Sequence, residues 1–222
     1  MLSNLRRRWW RRRLRDPAYA FLAEPDPHGE LVSLDCETTS LDPRSAELLS
    51  IAAIRIRGDR ILTSQALDLL VRPAARPSDA GVLIHKLRTL DVAGGLAPAA
   101  ALERLLRFVG GRTLLGYYLE FDLGIINRYL RPELGVPLPN PRVEVSALYY
   151  DLKTRRLPGS HVDLSFQAIR ADLDLPDLPE HDAFNDALSA AQMYVILKDM
   201  VARRARIARD PSERRAVHFG AG

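Results

Sequence analysis

From Leu31 to Cys36 the chain alternates, with Leu31, Ser33 and Asp35 on one side and Val32, Leu34 and Cys36 on the other, the period of two that a β-strand requires. Glu37 falls on the side of Asp35, and Thr38, Thr39 and Ser40 then break the pattern into a turn. Two further apolar runs, Glu47 to Arg57 and Ile61 to Val71, read as second and third strands separated by a Gly58-Asp59 turn signal. Three successive strands with tight turns predict an antiparallel meander. Pro73, Pro77 and Gly81 punctuate its exit, a short helix is expected over Val82 to Val92, and Pro98 to Val109 has apolar residues at helical spacing until Gly110-Gly111 stops it. Arg112 to Gly116 predicts a short strand followed by a helix beginning near Tyr118, which places a parallel pair beside the meander. Val143 to Leu148 reads as the last strand and Leu164 to Leu173 as a helix. The long run to Ala202, with Asp182 as N-cap, carries its apolar stripe at Ala187, Ala190, Ala191, Tyr194, Val195 and Leu197. The fold class is α/β.

A chain of 222 residues suits one domain with appendages. Its 47% hydrophobic and 27% charged residues are ordinary for a soluble globular protein, and no stretch approaches the ~18 consecutive apolar residues of a membrane span. The single cysteine, Cys36, excludes an intramolecular disulfide. On the opposite face from Asp35 it reads as a small buried apolar residue rather than a nucleophile.

The net charge of +4 is unevenly placed. Residues 1–15 hold seven arginines and no acid, which leaves 25 basic against 28 acidic residues in the remainder. This basic start lacks the apolar core and cleavage site of a secretory signal, so a cytoplasmic location is expected. Several uses fit it: a nucleic-acid arm in which Trp9 and Trp10 stack on bases, a helix on an anionic membrane, a partner contact, a transit peptide, or simply a fraying solvated helix. Asp16 to Glu30, with Pro17, Pro25, Pro27 and Gly29, reads as a linker. The expected organisation is a basic arm and linker over 1–29, one domain over 30–203 and a tail over 204–222.

Asp35 and Glu37 end an apolar strand on one face, where two like charges repel unless a cation lies between them. A hard divalent metal with oxygen ligands is the natural occupant. Each acidic element taken alone has a plainer explanation. D-x-E also marks solvated strand edges, an aspartate such as Asp122 in a helix's first turn is favoured by the dipole, and a lone His181 can be a loop residue beside a cap.

Taken together, Asp35-Cys36-Glu37-Thr38-Thr39, then Phe121-Asp122, then the H-x-A-x-x-D of His181, Ala183 and Asp186 resemble the DEDDh group of 3′-5′ exonucleases. That DnaQ-like family includes the epsilon subunit of bacterial DNA polymerase III, oligoribonuclease and ribonuclease T, and epsilon-like members are the nearest in pattern. The resemblance spans about Leu31 to Ala202. It implies a ribonuclease H-like fold, a central five-stranded mixed sheet flanked by helices, and removal of 5′ mononucleotides from the 3′ ends of nucleic acid. DNA, single-stranded, is the first expectation for substrate and RNA the second.

The resemblance further implies two Mg²⁺ or Mn²⁺ ions. Asp35 would bridge them, Glu37 and Asp186 would complete one shell, and Asp122 would serve the other. His181 would take the proton of the attacking water, since a histidine ordinarily titrates at ~6.5. Thr38, Thr39 and Leu41 occupy the family's places for holding the terminal nucleotide, Phe121 lies beside them, and His85 matches a substrate-side histidine. One departure is plain: where many relatives read G-H-N-x-x-F-D, this chain reads Gly116-Tyr117-Tyr118-Leu119-Glu120-Phe121-Asp122. A free-standing maintenance or repair exonuclease is expected, with a polymerase or repair protein as possible partner. The competing reading is a non-catalytic nucleic-acid-binding or polymerase-associated module that keeps the fold.

Overall fold

The computed structural model describes residues 4–74, 92–155, 161–179 and 181–204. Its centre is a mixed sheet built on two strands. β1 (Leu31–Thr38) pairs antiparallel with β2 (Leu48–Arg57) along its length, and β2 is buried without a break from Leu48 to Ile54. β3 (Arg60–Ile61) and β4 (Leu67–Leu70) both add antiparallel to the far side of β2. On the other side of β1, β5 (Thr113–Gly116) and β6 (Arg142–Glu144) add in parallel. Five positions therefore lie across the sheet, with β3 and β4 sharing one edge. The expected single strand from Ile61 to Val71 is split because the polar triplet Thr63–Gln65 forms one 3₁₀ turn in its middle.

The alternation in β1 sorts its side chains into two layers. Val32, Leu34 and Cys36 pack with helices α2 (Pro98–Val109) and α3 (Leu119–Leu134). Leu31 packs on the opposite face with α4 (Val145–Thr154), α5 (Phe166–Asp172) and α6 (Ala183–Ala202). Helix α6 meets the sheet through Ala183 and Ala187 against Ala52 and Ile54, and these small side chains allow a close approach. The Ser33 hydroxyl, fully buried, uses that closeness to donate to the Ala187 carbonyl at 2.7 Å. Such a bond stabilises by roughly 1 kcal/mol, and its loss would strand a buried polar group.

The start of β1 is clamped by charge. The Glu30 side chain is wholly covered and accepts from Arg57 Nε at 2.6 Å and Arg112 Nε at 2.9 Å, with Asp26 3.3 Å from the same Arg112 nitrogen. Burial alone would raise the Glu30 pKa, but the hydrogen bonds from Arg57 and Arg112 hold it below the usual value.

Val143 to Leu148 was expected to be a strand, yet only the Arg142–Glu144 stretch pairs, and helix α4 begins at Val145 because the Glu144 carboxylate caps it at the Ser146 amide. Local β-propensity yields to a cap that the tertiary structure also uses elsewhere. Nor are residues 4–29 a loose arm and linker. Helix α1 (Asn4–Arg13) buries Trp10, whose Nε1 donates to the Pro137 carbonyl at 2.7 Å. A 3₁₀ helix over Pro17–Ala23, capped by Asp16, sinks Leu22 and Ala23 into the same core. Gly111 makes room for it: a Cβ there would sit 1.6 Å from the Glu24 carbonyl oxygen. The expected helix over Val82 to Val92 lies, but for Val92, outside the described residues, as does the tail beyond Arg204.

Trp10→Ala is expected to destabilise the protein by ~3–5 kcal/mol, the usual effect of deleting a buried indole. Trp9→Ala, one residue away and 49% exposed, should change stability by well under ~1 kcal/mol. Denaturant titration of both variants checks the pair, and equal midpoints would show that the basic segment does not contribute to the core.

Candidate active site

The site forms where β1 outruns its parallel neighbour. Pairing with β5 stops at Ser33 opposite Leu115, because β5 turns away at Gly116 into α3. A Cβ on Gly116 would lie 3.0 Å from the Leu34 carbonyl oxygen, so glycine allows this turn to hug β1. Asp35 and Glu37 then project beyond the carboxyl end of the parallel pair, at the change of strand direction where ligands of open α/β sheets gather. The register with β2 shifts between Glu37 and Thr38, a bulge of the kind that re-aims side chains.

Two helices bring further acids to this point from opposite layers. Asp122, in the first turn of α3, is 4% exposed and lies beside Cys36, whose amide and thiol favour its charged form. Asp186, in the first turn of α6, is carried in by the Ser33–Ala187 contact one residue on. His181 is exposed, in the left-handed region at φ +60°, and its amide donates to Asp186 Oδ2 at 3.0 Å. This kink turns the imidazole back over the acids: ligand atoms of Glu37, His181 and Asp186 all lie within 4.8 Å of one another.

The crowding registers in the acidities. Burial, and then the charges of Asp122, Asp186, Glu37 and Asp182, push the Asp35 carboxyl well above its ordinary value. Burial and the charges of Asp186 and Asp182 push Glu37 to about 7. Asp122 is also raised well above its usual value by burial, with Glu37 adding to it, despite the amides and the Cys36 thiol that favour its charged form. That thiol is itself pushed well up by burial and by Asp122, so it remains a protonated donor.

Sequence reasoning saw Asp182 only as a cap. It is one, accepting from the Asn185 amide at 3.0 Å, but its charge also raises Asp35, Glu37 and Asp68. Asp68, Ser50, Arg104 and Phe184 were missed. They line a cleft of about 520 Å³ that opens beside Glu37 and His181, and only strand pairing between β2 and β4 brings Ser50 and Asp68 there.

The expected substrate residues divide. The Thr38 hydroxyl donates to the Ser40 carbonyl at 2.9 Å and the Thr39 hydroxyl accepts from the Glu47 amide at 2.9 Å, so both shape the turn. Leu41 stands out at 82% exposure. Phe121 is half-buried against the core beside Asp122, and His85 lies outside the described residues. In the divergent segment, Tyr118 adopts φ +52° as the N-cap of α3, a conformation that asparagine tolerates far better. Glu144 compensates: its two carboxylate oxygens accept the Tyr118 and Leu119 amides at 3.1 Å each. Tyr117 anchors through its hydroxyl to the Leu164 carbonyl at 2.9 Å, with its ring 5.0 Å from that of Phe166.

Crowded carboxylates at the end of a central strand form an all-oxygen donor set of the kind that divalent cations occupy in phosphodiester-cleaving hydrolases. The chain belongs to the RNase T/DnaQ-like family of 3′-5′ exonucleases, whose family model, described as exonuclease, matches residues 32–194. It is 25% identical over 173 residues to the DNA polymerase III subunit epsilon of Aquifex aeolicus, covering 78% of this chain and 82% of that one. It is 27% identical over 172 residues to a DNA polymerase III subunit epsilon-like protein of Rhodobacter capsulatus, covering 75% of this chain but 23% of that longer protein. The fold matches E. coli Exonuclease I in complex with a 5cy-dT13 oligonucleotide, at a TM-score of 0.67 and 18% identity, over 79% of this chain and 42% of that chain. Among the described residues no helix is long and apolar enough to cross a membrane.

The acid cluster makes a signed prediction. A carboxyl raised from 4.5 to about 7 burdens the charged folded state by on the order of 3 kcal/mol. The folded protein binds protons more tightly than the unfolded chain here, so this contribution is harmless at acid pH and becomes destabilising as pH rises from 4.5 through about 7. Asp35→Asn removes one of the repelling charges. In EDTA it should raise Tm by several degrees at pH 8 and by much less at pH 5, read by calorimetry. An equal effect at the two pH values would contradict the crowding described here.

Proposed function

We propose that this chain hydrolyses phosphodiester bonds at 3′ ends, releasing 5′ mononucleotides, with DNA as the preferred substrate. The observation that carries the reading is the convergence of Glu37, His181 and Asp186 within 4.8 Å, beside the half-buried Asp35 and the buried Asp122. The donor set is dominated by carboxylate oxygen and suits Mg²⁺ or Mn²⁺ rather than a thiolate-seeking metal. Burial and then mutual repulsion raise Asp35, Glu37 and Asp122, and that repulsion is what a bound cation would relieve.

Asp35, Glu37 and Asp186 would hold one ion, with Asp35 shared and Asp122 serving the second. When bound, the pair of cations supplies Lewis acidity toward the scissile phosphate and its leaving 3′ oxygen. The chain's own groups do the rest. His181, over the cluster, accepts the proton of the attacking water at a ring nitrogen. Asp186 orients it by holding its backbone amide. The turn from Thr38 to Leu41 sets the terminal nucleotide, with the exposed Leu41 wedged against its base. Support for DNA comes from relatives named as DNA polymerase III epsilon subunits and from Exonuclease I structures that contain DNA oligonucleotides.

The test incubates the protein with 5′-labelled single-stranded DNA and RNA of one sequence, with Mg²⁺, Mn²⁺ or EDTA. A ladder shortening from the 3′ end is expected with metal and not with EDTA. Asp35→Ala should abolish it, and His181→Ala should slow it by ~10²–10⁴-fold, the range for loss of a general base. Intact strands in every lane, with binding retained, would overturn the catalytic reading and leave a binding module.

A further inference from the structure

One face of α3 carries Phe121, Gly124, Arg128 and Arg131, and its C-cap Gly135 continues the line. It begins at Phe121 beside Asp122 and runs ~21 Å down the helix. Beside its upper half lies the turn that follows Glu37, since a Cβ on Gly124 would lie 3.7 Å from Pro43 Cβ. Arg128 staples that turn to the helix by donating to the Arg44 and Ala46 carbonyls. At the lower end a Cβ on Gly135 would lie 3.4 Å from Arg15 Cβ and 3.6 Å from the Arg13 carbonyl oxygen, so the stripe ends against the carboxyl-terminal end of α1.

The surface along this line is grooved. A depression of about 350 Å³ is lined by Gly124, Asn127, Arg128, Arg131, Gly135 and Pro137. It shares Pro137 with a larger groove of about 850 Å³ whose walls include Leu5, Arg6, Trp9, Pro139 and Arg142. Helix α1 carries six arginines and no acid; Arg6 lines the larger groove, while Arg7 lines a separate depression and Arg11 pairs with Glu24. Trp9 is 49% exposed, with the Arg13 guanidinium 4.5 Å from its ring centre. Among the described residues the acids near the path are Glu24, paired with Arg11, Glu120, paired with Arg142, Asp16, which caps the 3₁₀ helix, and Asp42 and Glu133 at its margins.

We propose that this groove is a track for the single strand whose 3′ end occupies the active site. Its phosphates lie along Arg44, Arg131, Arg15, Arg13 and Arg12, and a base stacks on Trp9 at the far end. The chemistry fits a polyanion with flat apolar faces, since arginine neutralises phosphate and indole stacks on any base. It also accounts for the segregation of charge. An acid-built centre repels the backbone it must cut, and cations strung along the helix away from the acids attract the strand without entering the metal site. The track rests on the exonuclease reading for its direction, and it predicts a preference for strands longer than the active site alone can hold.

The test uses the full chain with Arg12, Arg13 and Arg131 replaced together by alanine, Trp9→Ala, and an Arg60→Ala/Arg203→Ala control away from the stripe. All five arginines are exposed, so folding is expected to survive. Anisotropy of a labelled strand of about 20 nucleotides, above the ~4–16-nucleotide sites of single-strand grooves, is read in EDTA on an Asp35→Ala background. The triple variant should bind ~10-fold or more weakly, with the salt slope reduced by about 2, and Trp9→Ala ~10-fold more weakly, while the control binds like the parent. With active protein and metal, the ratio of kcat/KM on that strand to kcat/KM on the p-nitrophenyl ester of thymidine 5′-monophosphate should fall ~10-fold in the triple variant.

Unchanged affinity and salt slope would overturn the track, as would an unchanged ratio. So would loss of binding to anionic vesicles or an acidic peptide with strand binding intact, which would assign α1 another partner. Failure of the exonuclease reading looks different: unaltered protein then turns over neither substrate, while the binding measurement still decides the track.

Discussion

Like charge crowded at the end of a buried strand is the constraint that the fold is arranged around. Asp35, Glu37, Asp122 and Asp186 meet at the carboxyl end of β1, with Asp182 close enough to be felt, and burial raises the cost of the Asp35, Glu37 and Asp122 charges. Nothing in the chemistry of the acids favours that arrangement. It is imposed by groups that have their own reasons to be where they are.

Those groups act on both ends of β1. Its entry is fixed by Glu30 among Arg57 and Arg112, a covered ion network whose value lies in defining where the strand begins. Its exit is framed by Ser33 bonded to Ala187, which sets the height of α6, and by Cys36 lying against Asp122 of α3. Glu144 performs two tasks with one carboxylate, capping α4 and holding the amides at the start of α3. The backbone conformations at Tyr118 and His181, both with positive φ, stand on either side of the acids. Strain of this kind persists where the surroundings over-determine it and tends to mark working sites.

The N-terminal segment has a structural and a surface role in adjoining residues. Trp10 faces inward and closes the core beneath Pro137, whereas Trp9 and the arginines face outward. Packing of the one side makes the other a fixed surface rather than a fraying charge cloud, and a fixed surface can be selective. Its distance from the acids matters too, since cations nearer to them would compete for the carboxylates.

The sequence by itself determined the class of fold, the meander, the parallel pair, the two faces of β1 and the long capped helix at Ala183, because strand and helix periods and caps are local properties. The motif acids were legible for the same reason, each standing at an abrupt end of an apolar pattern. Other features depended on partners distant in sequence. Val145 became helical because Glu144 was needed as a cap, and Arg-rich residues 4–13 became ordered because Pro137 and the core received Trp10. Asp182 and Asp68 joined the charge balance only through the packing of α6 and β4 on β2. Local pattern tells which residues can end a strand or start a helix. Which of them share one low-dielectric volume is a matter of distance across the fold, and only the tertiary structure decides it.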